Sequence, residues 1–538
     1  MKKEKPIGYI NFDGTVGENN EIEIRVPYDK LSLIRRGQYI KLESDNGNYI
    51  SRIIKGPFFQ PDAVSKDSAF ARASILHAEQ VNFRPDFHGV CIAEVLGELL
   101  DEEDFNLVSA NNRPFPQTAV IPVRNDEIEK ILKLEGDVYL GFLYGYPGVR
   151  VHFKHNEKKV LPRNIGIFGT IGSGKTNTSQ VLIEELSNTG WSVIVLDIEG
   201  EYIEMDEKSK EAQKGYMKQL MKEFNIEPKG IEHLKVYHPL GMEENRDDSK
   251  EIGIKFANVD PYMFVEILEL NEAQSERFMG VYAEVSAERQ TKKSSSSLAS
   301  STTKSNDGIS EITLDRIIEK VRSRLKSPAH SGDRASYSVV KRKLEKLNRL
   351  KIFHDKKHLG DFSCLLEPSL VSIFDLSNSP NLWVNNIFIS TLLKKVFEFK
   401  INATEKNTKI NQPVMIIIEE AHSFVSREKA KVMSETLDIL REISRRGRKR
   451  WIGICFVTQQ PAHLPPEIYE LCNTKFVHQT TGEKNLNAIK SSAGSVNKAL
   501  WNDIPILSQG RCLLISPKFK HPIMVRIRPS ISNRRMTE

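Results

Sequence analysis

The chain contains the segment Ile165-Gly166-Ile167-Phe168-Gly169-Thr170-Ile171-Gly172-Ser173-Gly174-Lys175-Thr176. Its first residues are a short apolar run, the next fit the pattern G-x-x-x-x-G-K-[ST], and an amphipathic segment follows from Asn177 to Asn188. This order predicts a strand, a phosphate-binding loop and a helix. The glycines let successive backbone N–H groups point inward, where they and the positive end of the helix hold polyphosphate. We therefore predict that the loop binds a nucleotide, in preference to an ordinary glycine-rich turn.

The residues expected to surround the nucleotide follow one another along the loop: Gly169, Thr170, Ile171, Gly172, Ser173, Gly174, Lys175, Thr176 and Asn177. Among them, Lys175 would reach the β- and γ-phosphates, and the hydroxyl of Thr176 would be a ligand of Mg²⁺. The predicted cofactors are ATP and Mg²⁺. The overlapping Gly172-Ser173-Gly174 is not a dinucleotide-binding fingerprint, because Asn177 stands where the third glycine belongs.

Length and composition restrict the possible classes of protein. A chain of 538 residues exceeds what one hydrophobic core usually serves, so we expect two to four domains. No run of eighteen apolar residues is present and no apolar segment follows the first five residues, so we expect a cytoplasmic protein that does not enter the membrane. The five cysteines lack C-x-x-C spacing, which argues against zinc sites and disulfides. The net charge of +6 permits a nucleic-acid partner without requiring one.

Five regions are predicted along the chain. Short β-rich runs separated by Gly, Asn, Asp and Pro turns indicate a small antiparallel β-barrel over 1–125, with the acidic Asp101-Glu102-Glu103-Asp104 as a solvated loop. An α/β core follows in two parts, 126–250 and 401–515. A helical insertion over 251–400 separates them, and its Ser-rich segment near 291–308 is expected to be disordered. Residues 516–538 are predicted to be a C-terminal tail.

Two further strands carry acidic groups at their ends. Ser192 to Asp197 is nearly continuous in apolar residues, as expected of a parallel strand buried on both faces, and Glu199 and Glu201 follow it. Val414 to Ile418 is a second such strand, followed by Glu419 and Glu420. In a phosphate-loop enzyme the first carboxylate steadies Mg²⁺, usually through water, and the second polarises the water that attacks the γ-phosphate. The alternative is a core strand with an exposed acidic end.

A basic run comes next, with Arg441, Arg445, Arg446, Arg448, Lys449 and Arg450 in ten residues and only Glu442 opposing them. Three interpretations stay open: a solvated helix end, a patch for DNA phosphates, or an arginine finger presented to the γ-phosphate of a neighbouring subunit. The next strand leads into Thr458-Gln459-Gln460-Pro461, where Gln459 can sense the γ-phosphate. The run therefore lies between two strands of the predicted site, which favours the finger more than a charge run alone would.

Taken together, these pieces resemble the HerA family of hexameric ATPases, within the HerA/FtsK group of RecA-like motor proteins. The resemblance rests on the N-terminal barrel, the helical insertion and an ordered set of motifs: Leu161-Pro162-Arg163-Asn164 before the loop, the loop itself, Gly200-Glu201-Tyr202, Glu419-Glu420-Ala421-His422, Arg445-Arg446-Gly447-Arg448-Lys449 and Thr458-Gln459-Gln460-Pro461. It implies a HAS-barrel-like domain followed by a RecA-like core. Arg446, the Arg450-Trp451 pair and Gln460 depart from what is usual in the family.

The resemblance implies a homohexamer with ATP at each subunit boundary, double-stranded DNA in the pore, and an effector docked on the ring through the barrel. By position, Arg445 looks like the family's finger, Arg448 with Lys449 like its Gly-Arg-Lys step, and Arg163 like an arginine near the nucleotide. The Ser-rich insertion is similar to versions in bacterial anti-phage operons, where the partner is a nuclease or a sirtuin-like NADase. The acidic loop of the barrel also favours a protein partner over DNA.

The sequence thus predicts a Mg²⁺-dependent ATPase ring that moves or grips DNA and works with an effector in anti-phage defence or DNA processing. An alternative is a scaffold that uses ATP to assemble and regulate the effector without substantial translocation. A third class, the coupling ATPases of conjugation or secretion, ordinarily carries membrane helices.

Overall fold

The structure is a computed structural model of the chain. It describes residues 5–12, 20–62, 64–77, 79, 85–100, 105–296, 312–354, 362–379, 382–405, 412–423, 425–426 and 433–536. The predicted acidic loop at 101–104 lies outside the described residues. So does the predicted Ser-rich segment from residue 297 onward, while its first residues continue a helix that ends at Ser296.

The strands, in chain order, are β1 (Gly8–Ile10), β2 (Glu21–Val26), β3 (Tyr39–Ser44), β4 (Gly47–Pro61), β5 (Phe87–Leu99), β6 (Leu107–Val108), β7 (Ala119–Pro122), β8 (Val138–Leu143), β9 (Arg150–Phe153), β10 (Asn164–Phe168), β11 (Ser192–Asp197), β12 (Leu234–Pro239), β13 (Lys250–Ile252), β14 (Val371–Asp375), β15 (Val414–Ile418), β16 (Ile452–Thr458), β17 (Cys472–Val477), β18 (Arg511–Ile515) and β19 (Ile523–Ile527). The helices are α1 (Ala69–Leu76), α2 (Asn125–Ile131), α3 (Lys175–Asn188), α4 (Gly215–Phe224), α5 (Pro261–Ile267), α6 (Glu272–Ser296), α7 (Leu314–Lys326), α8 (Arg334–Asn348), α9 (Leu382–Glu405), α10 (Ser434–Arg446), α11 (Pro466–Leu471), α12 (Glu483–Ser491) and α13 (Lys498–Asp503).

The chain divides into two compact units, which we call the barrel unit and the core unit. The barrel unit comprises 1–154 and 494–527, and the core unit comprises 155–493 and 528–538. This division differs from the predicted regions at both ends of the core. The segment 126–154 and the strands β18 and β19 belong with the barrel, whereas the last residues of the predicted tail belong with the core.

The barrel unit contains the small barrel that the sequence predicts. Its strands follow the order β2-β1-β7-β3-β4-β5, and β5 pairs back onto β2, so the six strands close and β6 is added outside β5. The interior is apolar because alternate residues of each strand point inward, as Ile22 and Ile24 do on β2, with Ile40 and Leu42 on β3. The unit also holds the antiparallel strands β18-β19-β8-β9.

The core unit is built on a parallel sheet with the order β13-β12-β14-β11-β15-β16-β10-β17. Every residue of β10, β11, β14, β15 and β16 is buried, which explains why these strands read as continuous apolar runs. The strand before the phosphate loop, β10, lies between β16 and β17, and β16 separates it from the acid-tipped β15. This is the RecA-like α/β arrangement that the sequence predicts.

Most of the predicted helical insertion is helical, from α5 to α9. The apolar face predicted on α7 is buried, with Leu314, Ile317, Ile318 and Val321 inside. Two strands within 251–400 nevertheless belong to the sheet, since β14 pairs with β11 and β13 lies at the edge. Among the described helices, none has both the length and the apolar character needed to cross a bilayer.

Candidate nucleotide site

The phosphate loop joins β10 to α3, and its backbone requires glycine. Gly172 and Gly174 have φ values of 75° and 109°, in the left-handed region where side chains are strained. At Gly169 a Cβ would lie 2.5 Å from Ser173 Oγ and 2.7 Å from Cβ of His478. The three glycines of the motif are therefore explained by the shape of the loop itself.

The loop is held from inside and from the neighbouring strand end. Both the backbone N–H and the hydroxyl of Thr170 donate to the carbonyl of Gln479, at 2.8 and 3.0 Å. The hydroxyl of Ser173 donates to the Thr170 carbonyl at 2.7 Å. Ile171, at the tip, is 83% exposed. These hydrogen bonds within the chain hold the loop in its cradle shape.

Lys175 is the buried cation of this site. Its side chain is 7% exposed, and its ammonium donates to the Thr170 carbonyl at 3.1 Å. Burial lowers the pKa of Lys175, while the charges of Glu420, Glu419 and Glu201 act in the opposite direction. The helix, the lysine and three carboxylates therefore meet at one place.

The two carboxylates after β15 occupy different environments. Glu419 is 3% exposed and its Oε2 accepts the hydroxyl of Tyr202 at 2.7 Å; burial raises the pKa of Glu419 to about 8. Glu420 has a φ of 43°, a left-handed conformation that turns it away from the strand direction. His422 Nδ1 lies 3.0 Å from Glu420 Oε2 and from Thr458 Oγ1. Glu419 is thus fixed inside the sheet end, and Glu420 stands at its rim.

The turn after β11 is organised by Asp197. Its buried carboxylate accepts the backbone N–H groups of Gly200, Glu201 and Tyr202 at 2.8, 3.2 and 2.9 Å. Burial raises the pKa of Asp197 to about 7 despite these hydrogen bonds. The turn places the Tyr202 hydroxyl 2.7 Å from Ser179 on α3, so it ties α3 to Glu419. Sequence reasoning assigned no role to Tyr202, although a tyrosine in an acidic turn was a visible signal.

The donors near the loop fit Mg²⁺ bound together with ATP. Thr176 begins α3 beside Lys175, and Glu419 and Glu420 act electrostatically on that lysine. Hydroxyl and carboxylate oxygens are ligands that Mg²⁺ prefers, and with phosphate oxygens and water they are sufficient for a nucleotide-bound ion. Thr176 and Glu419 therefore stay candidates for the metal side of the site.

Gln459 lies on the same edge as the loop. It follows β16 directly, and Thr458 is paired with Phe168, the residue before Gly169. The carboxyl ends of these parallel strands meet at one edge of the sheet, so Gln459 flanks the loop together with Glu419 and Glu420.

Arg163, Arg445 and Arg448 lie at the opposite edge. Arg163 precedes β10, and the side chain of the next residue, Asn164, donates to Ser444 of α10 at 2.7 Å. Arg445 and Arg448 stand between α10 and the start of β16. A strand of five residues spans about 17 Å. The structure does not bring these three arginines to the phosphate loop of the same chain, so Arg163 is not next to that loop, although the resemblance implied an arginine near the nucleotide.

The arginines at this edge differ in their partners. Arg446 pairs with Glu442, whereas Arg445 and Arg448 are exposed and have no ion pair within the described part of the chain. Arg163 Nη1 donates to Asn473 at 3.3 Å; burial, and then the charge of Arg448, lower the pKa of Arg163. Two cations thus lie close together without a neighbouring acid to balance them.

Sequence reasoning missed the C-terminal strap, residues 528–535, which lies along α3. The side chain of Asn177 donates to the Arg528 carbonyl at 2.8 Å and accepts the Ser530 N–H at 2.9 Å. Glu184 accepts the N–H groups of Ile531 and Ser532, each at 2.9 Å. Asn177, predicted to bind the nucleotide, therefore has its side-chain amide occupied by the strap.

The strap also contributes a buried ion pair. Arg528 is 1% exposed and its guanidinium lies 2.8 Å from both Glu184 and Glu185. Removal of one partner would leave a buried charge unbalanced, so this pair fixes the strap to α3.

Comparison with known proteins places this architecture in a family. The sequence model described as "Helicase HerA, central domain" matches residues 138–396. Relatives match beyond it: "DNA double-strand break repair helicase HerA" of Pyrococcus furiosus is 21% identical over 86% of this chain and 86% of its own length. The protein of the same name from Saccharolobus solfataricus is 23% identical, over 92% of this chain and 88% of its own length. These matches support a HerA-like ATPase.

Among solved structures, VirB4 of Thermoanaerobacter pseudethanolicus covers 73% of the HerA-like ATPase and 96% of its own chain, with a TM-score of 0.48 and 16% identity. The conjugative coupling protein TrwB covers 77% of this chain and 95% of its own, with a TM-score of 0.46 and 10% identity. Glu419, Glu420, Arg445 and Arg448 lie beyond the part that the family model matches, whereas Arg163 lies within it.

Proposed function

We propose that this HerA-like ATPase acts in the cytoplasm as a homohexameric ring that hydrolyses ATP with Mg²⁺ at its subunit boundaries and translocates or grips double-stranded DNA. The supporting observation is the separation of the two halves of the site. Each copy carries its phosphate loop at one edge of the sheet. At the other edge it carries Arg445 and Arg448, which have no ion pair within the described residues, and the five-residue strand β10, about 17 Å long, separates the two edges.

The separation favours a head-to-tail assembly. When one copy presents Arg445 and Arg448 to the phosphate loop of the next, each boundary holds one complete site, and repetition of the same contact closes a ring. A two-fold symmetric dimer would pair like edges and complete none of the sites. Such a head-to-tail contact needs identical copies related by rotation, but it does not fix their number. The number six comes from the resemblance to hexameric ATPases.

Each residue has a defined part in the proposed reaction. Lys175 and the loop N–H groups would hold the β- and γ-phosphates, and Mg²⁺ held at Thr176 and Glu419 would supply positive charge beside them. Glu420 accepts a hydrogen bond from the attacking water. The water oxygen bonds to the γ-phosphorus as the bond from that phosphorus to the ADP oxygen breaks, and the proton that the water loses passes through Glu420 to the released phosphate. Gln459 orients the γ-phosphate at the strand end. Arg445 and Arg448 of the neighbouring copy stabilise the charge on the transferring group.

DNA and an effector protein are the proposed partners. The relatives are named as DNA double-strand break repair helicases, and the net charge of +6 is compatible with DNA. We propose a nuclease or a sirtuin-like NADase as the effector, docked through the barrel in anti-phage defence or DNA processing. A scaffold that assembles the effector without substantial translocation is the alternative function.

Mixed rings test whether the two separated halves of the site act together across a subunit boundary. Subunits with Arg445→Ala and subunits with Lys175→Ala should each be inactive alone, yet recover hydrolysis when mixed, because some boundaries then join an intact arginine to an intact loop. Arg446→Ala is the matched control: Glu442 already pairs with this arginine, so its rings should hydrolyse ATP without mixing. Verified mixed rings without any recovery would refute the action of Arg445 across the boundary.

Duplex DNA separates translocation from scaffolding. We expect DNA to stimulate hydrolysis by the intact protein several-fold. Hydrolysis that ignores DNA but changes when the copurified effector is added would favour the scaffold. Mass measurement of the copurified assembly would identify the partner and count the subunits.

A further inference from the structure

The strap continues past α3 to the turn that Asp197 organises. Asn533 is fixed on both sides: its carbonyl accepts Gln180 Nε2 at 3.2 Å and its side chain donates to Glu204 at 2.6 Å. The backbone N–H of Arg535 donates to the Glu201 carbonyl at 3.0 Å. The hydrogen bonds of these two neighbours therefore fix the backbone position of Arg534, which lies between them.

The side chain of Arg534 lies among the charges of the nucleotide site. Its guanidinium pairs with Glu201, and its Nε is buried without a hydrogen-bond partner among the described residues. Glu201 belongs to the turn after β11, and the hydroxyl of the next residue, Tyr202, donates to Glu419 at 2.7 Å. Arg534 therefore lies at the carboxyl edge of the sheet, from which the phosphate loop extends, with its Nε–H unpaired among the described residues.

We propose that Arg534 contacts phosphate in the site of its own chain. Its side chain pairs with Glu201 in the absence of ATP and moves to the γ-phosphate when ATP binds. This inference rests on the proposed ATP hydrolysis. The γ-phosphate carries more negative charge than one carboxylate and offers two oxygens that a guanidinium can bind bidentately. Glu201 then serves as the competitor that keeps the arginine in place while the site is empty.

The proposal makes Arg534 selective for the triphosphate. ADP has no γ-phosphate, so the arginine has no reason to leave Glu201 when ADP is bound. The strap would therefore respond to the presence of the γ-phosphate, in addition to the response expected of Gln459.

Nucleotide affinity of the full chain tests this without relying on turnover. Binding of Mg–ATP and Mg–ADP would be measured by displacement of a fluorescent nucleotide. Arg534→Ala should weaken ATP about tenfold and ADP less than twofold, because only ATP loses a charge-assisted contact. Arg534→Lys should recover part of the loss. Arg535→Ala is the matched control: it removes the same charge one position along, and neither affinity should change.

The second variant reverses the sign. Glu201→Gln removes the competitor for Arg534, so ATP should bind more tightly than in the wild type. If the ion pair only stabilised the strap, Glu201→Gln and Arg534→Ala would instead weaken ATP and ADP alike, and that result would overturn the proposal, as would an unchanged ATP affinity in Arg534→Ala. Lys175→Ala distinguishes the failures, since wild-type affinity there would reject the phosphate loop itself.

Discussion

The two edges of the core sheet carry the two halves of the candidate site, and they are built in opposite ways. At the carboxyl edge Lys175 and Glu419 are 7% and 3% exposed, and each is hydrogen-bonded within the chain, Lys175 to the Thr170 carbonyl and Glu419 to the Tyr202 hydroxyl. At the amino edge Arg445 and Arg448 are exposed and have no partner within the described residues. A buried charge must be balanced as the chain folds, whereas an exposed one can wait for a second molecule.

This difference between the two edges indicates which of them meets a neighbouring subunit. The carboxyl edge is complete enough to hold nucleotide, so its residues should affect binding and stability of the single subunit. The amino edge is incomplete, so its residues should affect only what happens between subunits.

The largest expected effect is at the carboxyl edge. Lys175→Ala should abolish measurable ATP binding and hydrolysis, because the loop N–H groups alone leave the charge of the β- and γ-phosphates uncompensated. Isothermal titration with Mg–ATP would measure it, with circular dichroism as the control for folding. Wild-type affinity in a folded variant would exclude Lys175 from phosphate binding.

Glu420→Gln should separate binding from chemistry. ATP affinity should stay within about twofold of the wild type while turnover falls about a hundredfold or more, since the carboxylate acts on water and not on the phosphates. Equilibrium binding and phosphate release measure the two parts. If the variant turns over normally, another group is the base. His422 is the alternative, because its Nδ1 lies 3.0 Å from Glu420 Oε2.

The pH dependence of stability should report the buried carboxyl edge. Burial raises the pKa of Asp197 from its ordinary 3.8 to about 7, so between these values the folded chain binds more protons than the unfolded chain. Its contribution to stability is therefore present at low pH and is lost as pH rises through 7, by about 1.4 kcal/mol per pH unit. Relative to Asp197→Asn, the wild type should lose about 2 kcal/mol of unfolding free energy from pH 5 to pH 7.

Urea unfolding of both proteins at pH 5 and pH 7 gives this double difference. Groups that titrate equally in the two proteins cancel. A difference that does not change with pH would mean that Asp197 titrates near its ordinary value when folded.

The smallest expected effect is at the amino edge. Arg445→Ala should change the unfolding free energy of the isolated subunit by less than about 0.5 kcal/mol, as surface substitutions usually do. Thermal or urea unfolding would measure it under conditions where the protein does not assemble. A loss above about 1 kcal/mol would show that Arg445 already makes a stabilising contact within its own chain. The two edges would then not differ in the way described.

Local sequence signals predicted most of the fold. Periodicity and glycine spacing within short stretches of sequence predicted the phosphate loop, the apolar strands of the core and the small barrel. The structure contains all three. The same signals predicted which side chains follow the strands. They did not predict that β18 and β19 belong with the barrel, because pairing between strands far apart in sequence leaves no periodic trace.

The site itself was only partly predictable. Arg163 was expected near the nucleotide from its resemblance to a family arginine, yet in its own chain β10 separates it from the phosphate loop. The strap escaped notice because its signal is divided: Glu184 and Gln180 are polar residues on α3, and their partners Ser532 and Asn533 come near the end of the sequence.

The strap also has a consequence for the synthesis of the protein. Arg528 reaches Glu185 across 343 positions of the chain. At 5–20 residues per second, a ribosome needs on the order of 20 to 70 s to cover that distance. During this interval α3 has been made, but Glu184 and Glu185 lack the cation with which they are buried in the finished protein. The helix that follows the phosphate loop is therefore translated early, and its buried glutamates gain their cation only when the strap docks.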